Sequence, residues 1–228
     1  MKRPEIIPAV LPKDFAELQE KIDLIKDFVK TVQIDVCDGQ FTPQPSWPYH
    51  KEDDSFEKII HEEEGLPGWE KLNFEIDLMA NKPEEKIEDW VQAGATRIIL
   101  HIESKGDLGG AIKALRDRVE VGLALNIDTP ISAIGDPKLG IVEGSVQFIQ
   151  LMGIDHIGFQ GQDFDAKVID KIKEIKKMCP GYPVSIDGGV SLETAPRLIE
   201  AGADRLVVGS AIFNADNYVE AVQQFKRL

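Results

Sequence analysis

Short apolar runs alternate with amphipathic stretches along the whole chain. The runs lie at residues 6–11, 32–36, 72–79, 97–102, 121–126, 146–152, 184–187 and 206–209. Their length and near-continuous apolar character predict strands buried on both faces, as in a parallel sheet. Between most of them, apolar residues recur at helical spacing. Residues 14–28 carry Phe15, Leu18, Ile22 and Ile25 on one stripe, with Asp14 as the N-cap. The stretches 83–93, 107–118, 166–178, 192–201 and 217–226 read the same way. The second of these helices starts with Pro83 and is followed by Gly94, the usual asymmetry of helix ends. Strand and helix repeated eight times within 228 residues predict an α/β fold of the (β/α)8 TIM-barrel type. A doubly wound open sheet is the competing architecture. It normally carries a glycine-rich first turn, and none follows Leu11. With no internal repeat and no flexible linker, residues 1–228 read as a single barrel domain.

The connection from residue 37 to residue 70 breaks this rhythm, being longer than an ordinary strand-to-helix loop. Residues 41–49 are proline-rich and aromatic, which suits either an ordered cover over the barrel mouth, a subunit contact, or a mobile surface loop. Residues 54–64 predict a short acidic helix, and Glu62-Glu63-Glu64 a solvated face.

Two aspartates stand out. Asp35 closes the second apolar run and Asp187 the seventh, each with glycine soon after: Ile34-Asp35-Val36-Cys37-Asp38-Gly39 and Ile186-Asp187-Gly188-Gly189. Carboxylates at the C-terminal ends of parallel strands point into the mouth of such a fold. Two that face each other can remove and return a proton at one carbon. Taken singly, each is ordinary turn chemistry. Cys37 is assigned to the face opposite Asp35, as a small packing residue. His101 and Glu103 belong to the fourth strand, with His101 read first as a hydrogen-bonded wall residue. Met79 and Met152 end strands, and Asn126 offers a polar contact.

Glycines cluster at the ends of the last three strands: Gly158 and Gly161 in Gly158-Phe159-Gln160-Gly161-Gln162, then Gly188 and Gly189, then Gly209 with Ser210. The last two groups suit a phosphate held by main-chain N–H groups, and the first suits a hinged loop over a ligand. Net charge sharpens this reading. At −14 with an isoelectric point near 4.7, the chain is a poor partner for nucleic acid or an anionic membrane. An acidic protein that holds phosphate must do so locally, through backbone donors. Two cysteines, Cys37 and Cys179, match neither a metal motif nor a disulfide framework. No apolar run is long enough to span a membrane and no signal-peptide pattern opens the chain, so the cytoplasm is the expected compartment.

In order along the chain, Ile7-Pro8-Ala9-Val10-Leu11, Ile34-Asp35-Val36-Cys37-Asp38-Gly39-Gln40-Phe41, Asp77-Leu78-Met79, His101-Ile102-Glu103, Gly122-Leu123-Ala124-Leu125-Asn126, Gly158-Phe159-Gln160-Gly161-Gln162, Asp187-Gly188-Gly189 and Gly209-Ser210-Ala211-Ile212-Phe213 resemble the ribulose-phosphate 3-epimerase family. The resemblance implies a phosphorylated ketose as substrate, Asp35 and Asp187 as the acid/base pair at C3, and Gly189, Gly209 and Ser210 as the phosphate grip. It also implies a divalent metal held by two histidines and the two aspartates. This chain departs there, carrying Gln33 and Asp77 in place of the histidines. It further has Ala9 for a serine, Cys37 for a methionine, and Gln160 for a glycine in a loop longer by one residue. The remaining set, Gln33, Asp35, Asp77 and Asp187, is all oxygen and suits Mg2+ or Mn2+ better than Zn2+, or proton sharing with no metal. The expected function is thus a ketose-phosphate 3-epimerase of the ribulose 5-phosphate/xylulose 5-phosphate type. Competing readings are another phosphosugar lyase or isomerase on the same fold, and a non-catalytic phosphosugar-binding barrel. Cys37 stands where related decarboxylases place a lysine, which counts against them. Self-association into a homo-oligomer is expected from the resemblance.

Overall fold

A computed structural model describes residues 3–50 and 54–228; Met1-Lys2 and the middle of the long loop at 51–53 lie outside the described residues. Eight parallel strands close into a barrel in sequence order: β1 (Glu5–Val10), β2 (Thr31–Cys37), β3 (Asn73–Met79), β4 (Ala95–His101), β5 (Glu120–Leu125), β6 (Phe148–Met152), β7 (Val184–Asp187) and β8 (Arg205–Val208), with β8 paired back onto β1. The open-sheet alternative is excluded by that closure.

The helices are α1 (Phe15–Ile25), α2 (Ser55–Ile60), α3 (Ile87–Gln92), α4 (Leu108–Leu115), α5 (Lys167–Met178), α6 (Ala195–Ala201), α7 (Ser210–Phe213) and α8 (Tyr218–Lys226). Asp14 caps α1 by accepting from the Glu17 N–H at 3.0 Å, and the apolar stripe buries Leu18, Ile22 and Ile25. The stretch 83–93 is not one helix. Lys86, at φ −119°, interrupts the spiral between a 3-10 turn at Pro83–Glu85 and α3. Similarly α6 starts at Ala195 rather than 192, because Ser191 and Thr194 bond each other and the local backbone in a turn ahead of Pro196. The acidic helix ends at Ile60, since Glu62 takes a left-handed conformation; Glu62, Glu63 and Glu64 are exposed. Between β5 and β6 only 3-10 turns occur, Ile131–Gly135 and Pro137–Leu139.

Alternate strand residues face outward into one large apolar layer under the helices, exemplified by Val32, Ile34, Val36, Ile76 and Leu78. The inward residues are quite different. At the N-terminal floor, buried Glu75 lies 3.4 Å from the Arg97 guanidinium, which also reaches Glu5 at 3.4 Å and Glu120 at 2.9 Å. Burial pushes the Glu75 carboxyl up to about 7, against the pull of Arg97 and Arg205. Arg205 stacks on Phe148, its guanidinium carbon 4.2 Å from the ring centre. Small apolar clusters follow: Ile7, Ala9 and Val207, then Ile99, Ala124 and Phe148. Gly122 makes room for Phe148, whose ring would lie 2.5 Å from a β-carbon there. Above this layer the interior turns polar, with Gln33, Asp77, His101 and Gln150 all fully buried.

The segment 41–49 is packed rather than loose. Trp47 is buried, with its ring against Phe15, Phe56 and Trp90 at 5.5–5.9 Å and its indole N–H donated to the Ser55 hydroxyl at 2.9 Å. Phe41 lies 5.3 Å from the His101 ring, so the segment is ordered against the barrel beside the mouth, although none of its residues lines the cavity there. Trp47→Ala is expected to lower unfolding free energy by about 3–5 kcal/mol in urea titration, the usual loss for a buried Trp. A change under about 1 kcal/mol, within the range of ordinary surface substitutions, would mean the cluster does not anchor the loop.

Candidate active site

Strand pairing sets Asp35 opposite Asp77, and Met152 opposite Asp187, at the C-terminal rim. Two-residue periodicity then stacks Glu75, Asp77 and Met79 from floor to mouth on β3, and Gln33, Asp35 and Cys37 on β2. Carboxylate oxygens of Asp35, Asp77 and Asp187 all come within 4.8 Å of one another.

Two glutamine amides hold this cluster together. Gln33 Nε2 donates to Asp35 Oδ1 and to Asp187 Oδ2, both at 2.7 Å. Gln150 Nε2 lies 3.3 Å from Asp77 Oδ2 and from Asp187 Oδ2. Behind Asp77, His101 Nε2 sits 3.0 Å from Asp77 Oδ1, and Glu103 lies 3.8 Å from the far ring nitrogen. Glu103 accepts from the Asn126 main-chain N–H at 2.8 Å and from the Thr129 hydroxyl. Lys171 pins the same turn by donating to the carbonyls of Asn126 at 2.5 Å and Thr129 at 2.8 Å.

Electrostatics follow from this crowding. Burial, then the charges of Asp187 and Asp77, push the Asp35 carboxyl well above the usual range, while the Gln33 N–H pulls the other way. Burial and Asp77 raise Asp187 to about 7. Burial works against an imidazolium at His101, but Asp77 and Glu103 outweigh it and raise its pKa.

Above the acids opens a cavity lined by Asp35, Asp77, Asp187 and the two methionines, and by the glycine-bearing ends of three loops, including Gly158, Gly161, Gly188, Gly189, Gly209 and Ser210. Gly188 and Gly189 sit at φ +93° and +67°, conformations L side chains avoid. A β-carbon on Gly189 would also come 2.7 Å from the Phe164 main chain.

A model of the ribulose-phosphate 3-epimerase family matches residues 5–213. The chain belongs to that family. It is 31% identical to ribulose-phosphate 3-epimerase of Bacillus subtilis, over 97% of this chain and 98% of that one. It is 30% identical to the chloroplastic ribulose-5-phosphate-3-epimerase of Arabidopsis thaliana, covering 97% of this chain and 75% of the other. Among solved structures, KGPDC from Streptococcus mutans superposes with a TM-score of 0.72 at 15% identity, covering 98% and 96% of the two chains. A 3-hexulose-6-phosphate synthase from Salmonella typhimurium gives 0.69 at 16%, covering 98% and 97%. At those identities the structural likeness concerns the fold.

The inward faces of β2 and β3 hold an amide, Gln33, and a carboxylate, Asp77, beside Asp35. The donor set accommodates a hard divalent cation. Three carboxylates converge, each offering an oxygen within 4.8 Å of the others, while Gln33 and Gln150 turn their N–H groups toward them. It lacks the nitrogen and sulfur that zinc favours.

Gln150 escaped the sequence reading, although a lone amide inside Phe148-Ile149-Gln150-Leu151-Met152 was the available signal. Cys37 needs correction. Residues two apart along a strand share a face, so Cys37 lies on the same side as Asp35, with burial pushing its thiol up to about 12. His101, Glu103 and Asn126 stand behind the acids and do not line the cavity.

The raised carboxyls make folding pH-dependent with a defined sign. Between about pH 4 and pH 7 the unfolded chain ionises Asp187 while the folded chain keeps it protonated, so its contribution is full below pH 4 and fades as pH rises to 7. In chelator-containing buffer, Asp187→Asn is therefore expected to be more stable than the parent at pH 8. The two should converge by pH 4 in urea titrations. A parallel offset at all pH values would contradict the shift.

Proposed function

We propose that this chain is a ketose-phosphate 3-epimerase acting on ribulose 5-phosphate or xylulose 5-phosphate, with Asp35 and Asp187 exchanging the proton at C3. The observation that carries the proposal is a pair of acids, buried Asp35 and half-buried Asp187, from strands on different sides of the barrel, tied at 2.7 Å to one amide beneath an open cavity. Family membership and relatives named as epimerases support the same reaction class.

The phosphate end of the substrate docks against main-chain N–H groups of Gly189, Gly209 and Ser210, with the Ser210 hydroxyl as a further donor and Gly188 lining the cradle while its own N–H serves the Asp187 carboxyl. Neutral donors suit an acidic protein, which among the described residues has no cationic side chain lining this cavity. The sugar then lies over the acids with C3 between Asp35 and Asp187. An ionised aspartate removes the C3 proton, and the C3–H electron pair moves into a C2–C3 double bond as the carbonyl becomes an enediolate oxygen. A protonated aspartate returns a proton to C3 from the opposite face as the carbonyl re-forms. One acid must hold a proton while its partner does not, and carboxyls shifted toward neutral pH meet that condition. Asp35, Asp77 and Asp187 would hold a hard divalent cation such as Mg2+ or Mn2+, which when bound would supply electrophilic stabilisation of the enediolate, while Gln33, expected as a fourth ligand, turns its N–H rather than its carbonyl toward the acids. Gln33 and His101 fix the carboxylates that face the reacting carbon. Water leaves when the 158–162 loop covers the cavity.

The absent histidines favour a second reading, a phosphosugar-binding barrel without turnover. The two separate in one experiment. With ribulose 5-phosphate in D2O, NMR is expected to show loss of the C3 proton signal, and Asp35→Asn or Asp187→Asn to slow it by about 10²–10⁴-fold each. Binding without exchange selects the second reading; no exchange with any ketose phosphate ends the first.

The metal set makes its own prediction. Mn2+ should give a bound signal in electron paramagnetic resonance that weakens in Asp77→Asn by at least about tenfold in affinity. Stoichiometric zinc retained through purification would overturn the hard-cation assignment.

A further inference from the structure

The loop after β6 places a long polar side chain where the family pattern has glycine. Residues 158–162 bend between two left-handed glycines, Gly158 at φ +81° and Gly161 at φ +73°. Gly158 leans on the buried Thr42, whose Cβ would lie 2.8 Å from any added β-carbon, so that end of the loop is seated on the packed 41–49 segment. Gly161 has open space around it. Between them Gln160 extends across the cavity toward β8. Its Nε2 lies 3.3 Å from the position a β-carbon would take on Gly209, while its Cδ is farther, at 3.8 Å. The amide nitrogen thus leads into the space bounded by Gly188, Gly189, Gly209 and Ser210. Among the described residues no hydrogen bond holds that amide.

An amide N–H directed into a ring of main-chain donors, with no acceptor of its own, is suited to an anion. We propose that Gln160 is a substrate-seating residue whose side-chain amide donates to the phosphate group of the substrate. It gives the loop a contact that exists only when a phosphorylated ligand is bound. The inference rests on the phosphate-cradle part of the proposed function and does not depend on C3 chemistry. Gln160 reads the phosphate, not the sugar. A neutral donor fits the site because the acids beneath it would pair with a lysine or arginine and draw it away from the phosphate. The added reach of a glutamine also fits a loop longer by one residue, whose main chain need not approach the anion as closely.

Binding of inorganic phosphate and of ribose 5-phosphate, followed by calorimetry and ³¹P NMR, tests this without requiring turnover. Gln160→Ala is expected to weaken both about tenfold, the scale of one hydrogen bond to a charged group. Gln160→Glu should weaken them further, because a carboxylate there repels the anion. Unphosphorylated ribulose should bind equally to all three proteins. If C3 exchange occurs, Gln160→Ala should raise KM for ribulose 5-phosphate with kcat nearly unchanged. The side chain is exposed, so thermal melts should match the parent's. Unchanged phosphate affinity in Gln160→Ala overturns the proposal. Tighter binding overturns it in favour of a side chain that plugs the cradle. A parent protein that binds neither probe overturns it together with the cradle. Phosphate binding with no C3 exchange would instead remove only the epimerase reading.

Discussion

Three carboxylates packed within 4.8 Å inside a barrel repel one another unless something positive or proton-donating stands between them. In this chain Gln33 reaches from β2 to Asp35 and Asp187, and Gln150 from β6 to Asp77 and Asp187. Their N–H groups leave Asp187 tied to both neighbours, so the three acids are held as one hydrogen-bonded set. That constraint dictates much else. It needs both amides fully buried, and therefore a barrel interior that is polar near the mouth and apolar below it. It also needs a firm floor, which the Glu75–Arg97 pairing and the Arg205–Phe148 stack provide.

Much of the architecture was legible because apolar runs of strand length fell at regular intervals, and the observed strands lie within two residues of those runs. Helix ends were less legible. They depend on single backbone conformations, such as Lys86 at φ −119° and Glu62 at φ +61°, which composition does not announce. The aspartates and the loop glycines could be read because they terminate strands, where chemistry gathers. Gln150 could not, since one amide in a buried strand looks like a defect until its partners are known. Cys37 shows the cost of misapplying a two-residue repeat: a single slip reverses the face.

The site also explains how a strongly acidic protein can accommodate an anion. Its cavity is lined by acids at one end and by uncharged main-chain donors at the other. Positive side chains there would collapse onto the acids, whereas amide and peptide N–H groups can face an anion without neutralising the carboxylates. Polarity is thus partitioned along the cavity.

Trp47 and its aromatic neighbours freeze one wall of the mouth before any ligand arrives. Phe41 on that wall presses on His101, and Thr42 carries the base of the glycine-bounded loop. Conformational entropy on that flank is therefore surrendered during folding. Such a pre-set flank insulates the registry of the acids from any rearrangement of the glycine-bounded turn above them.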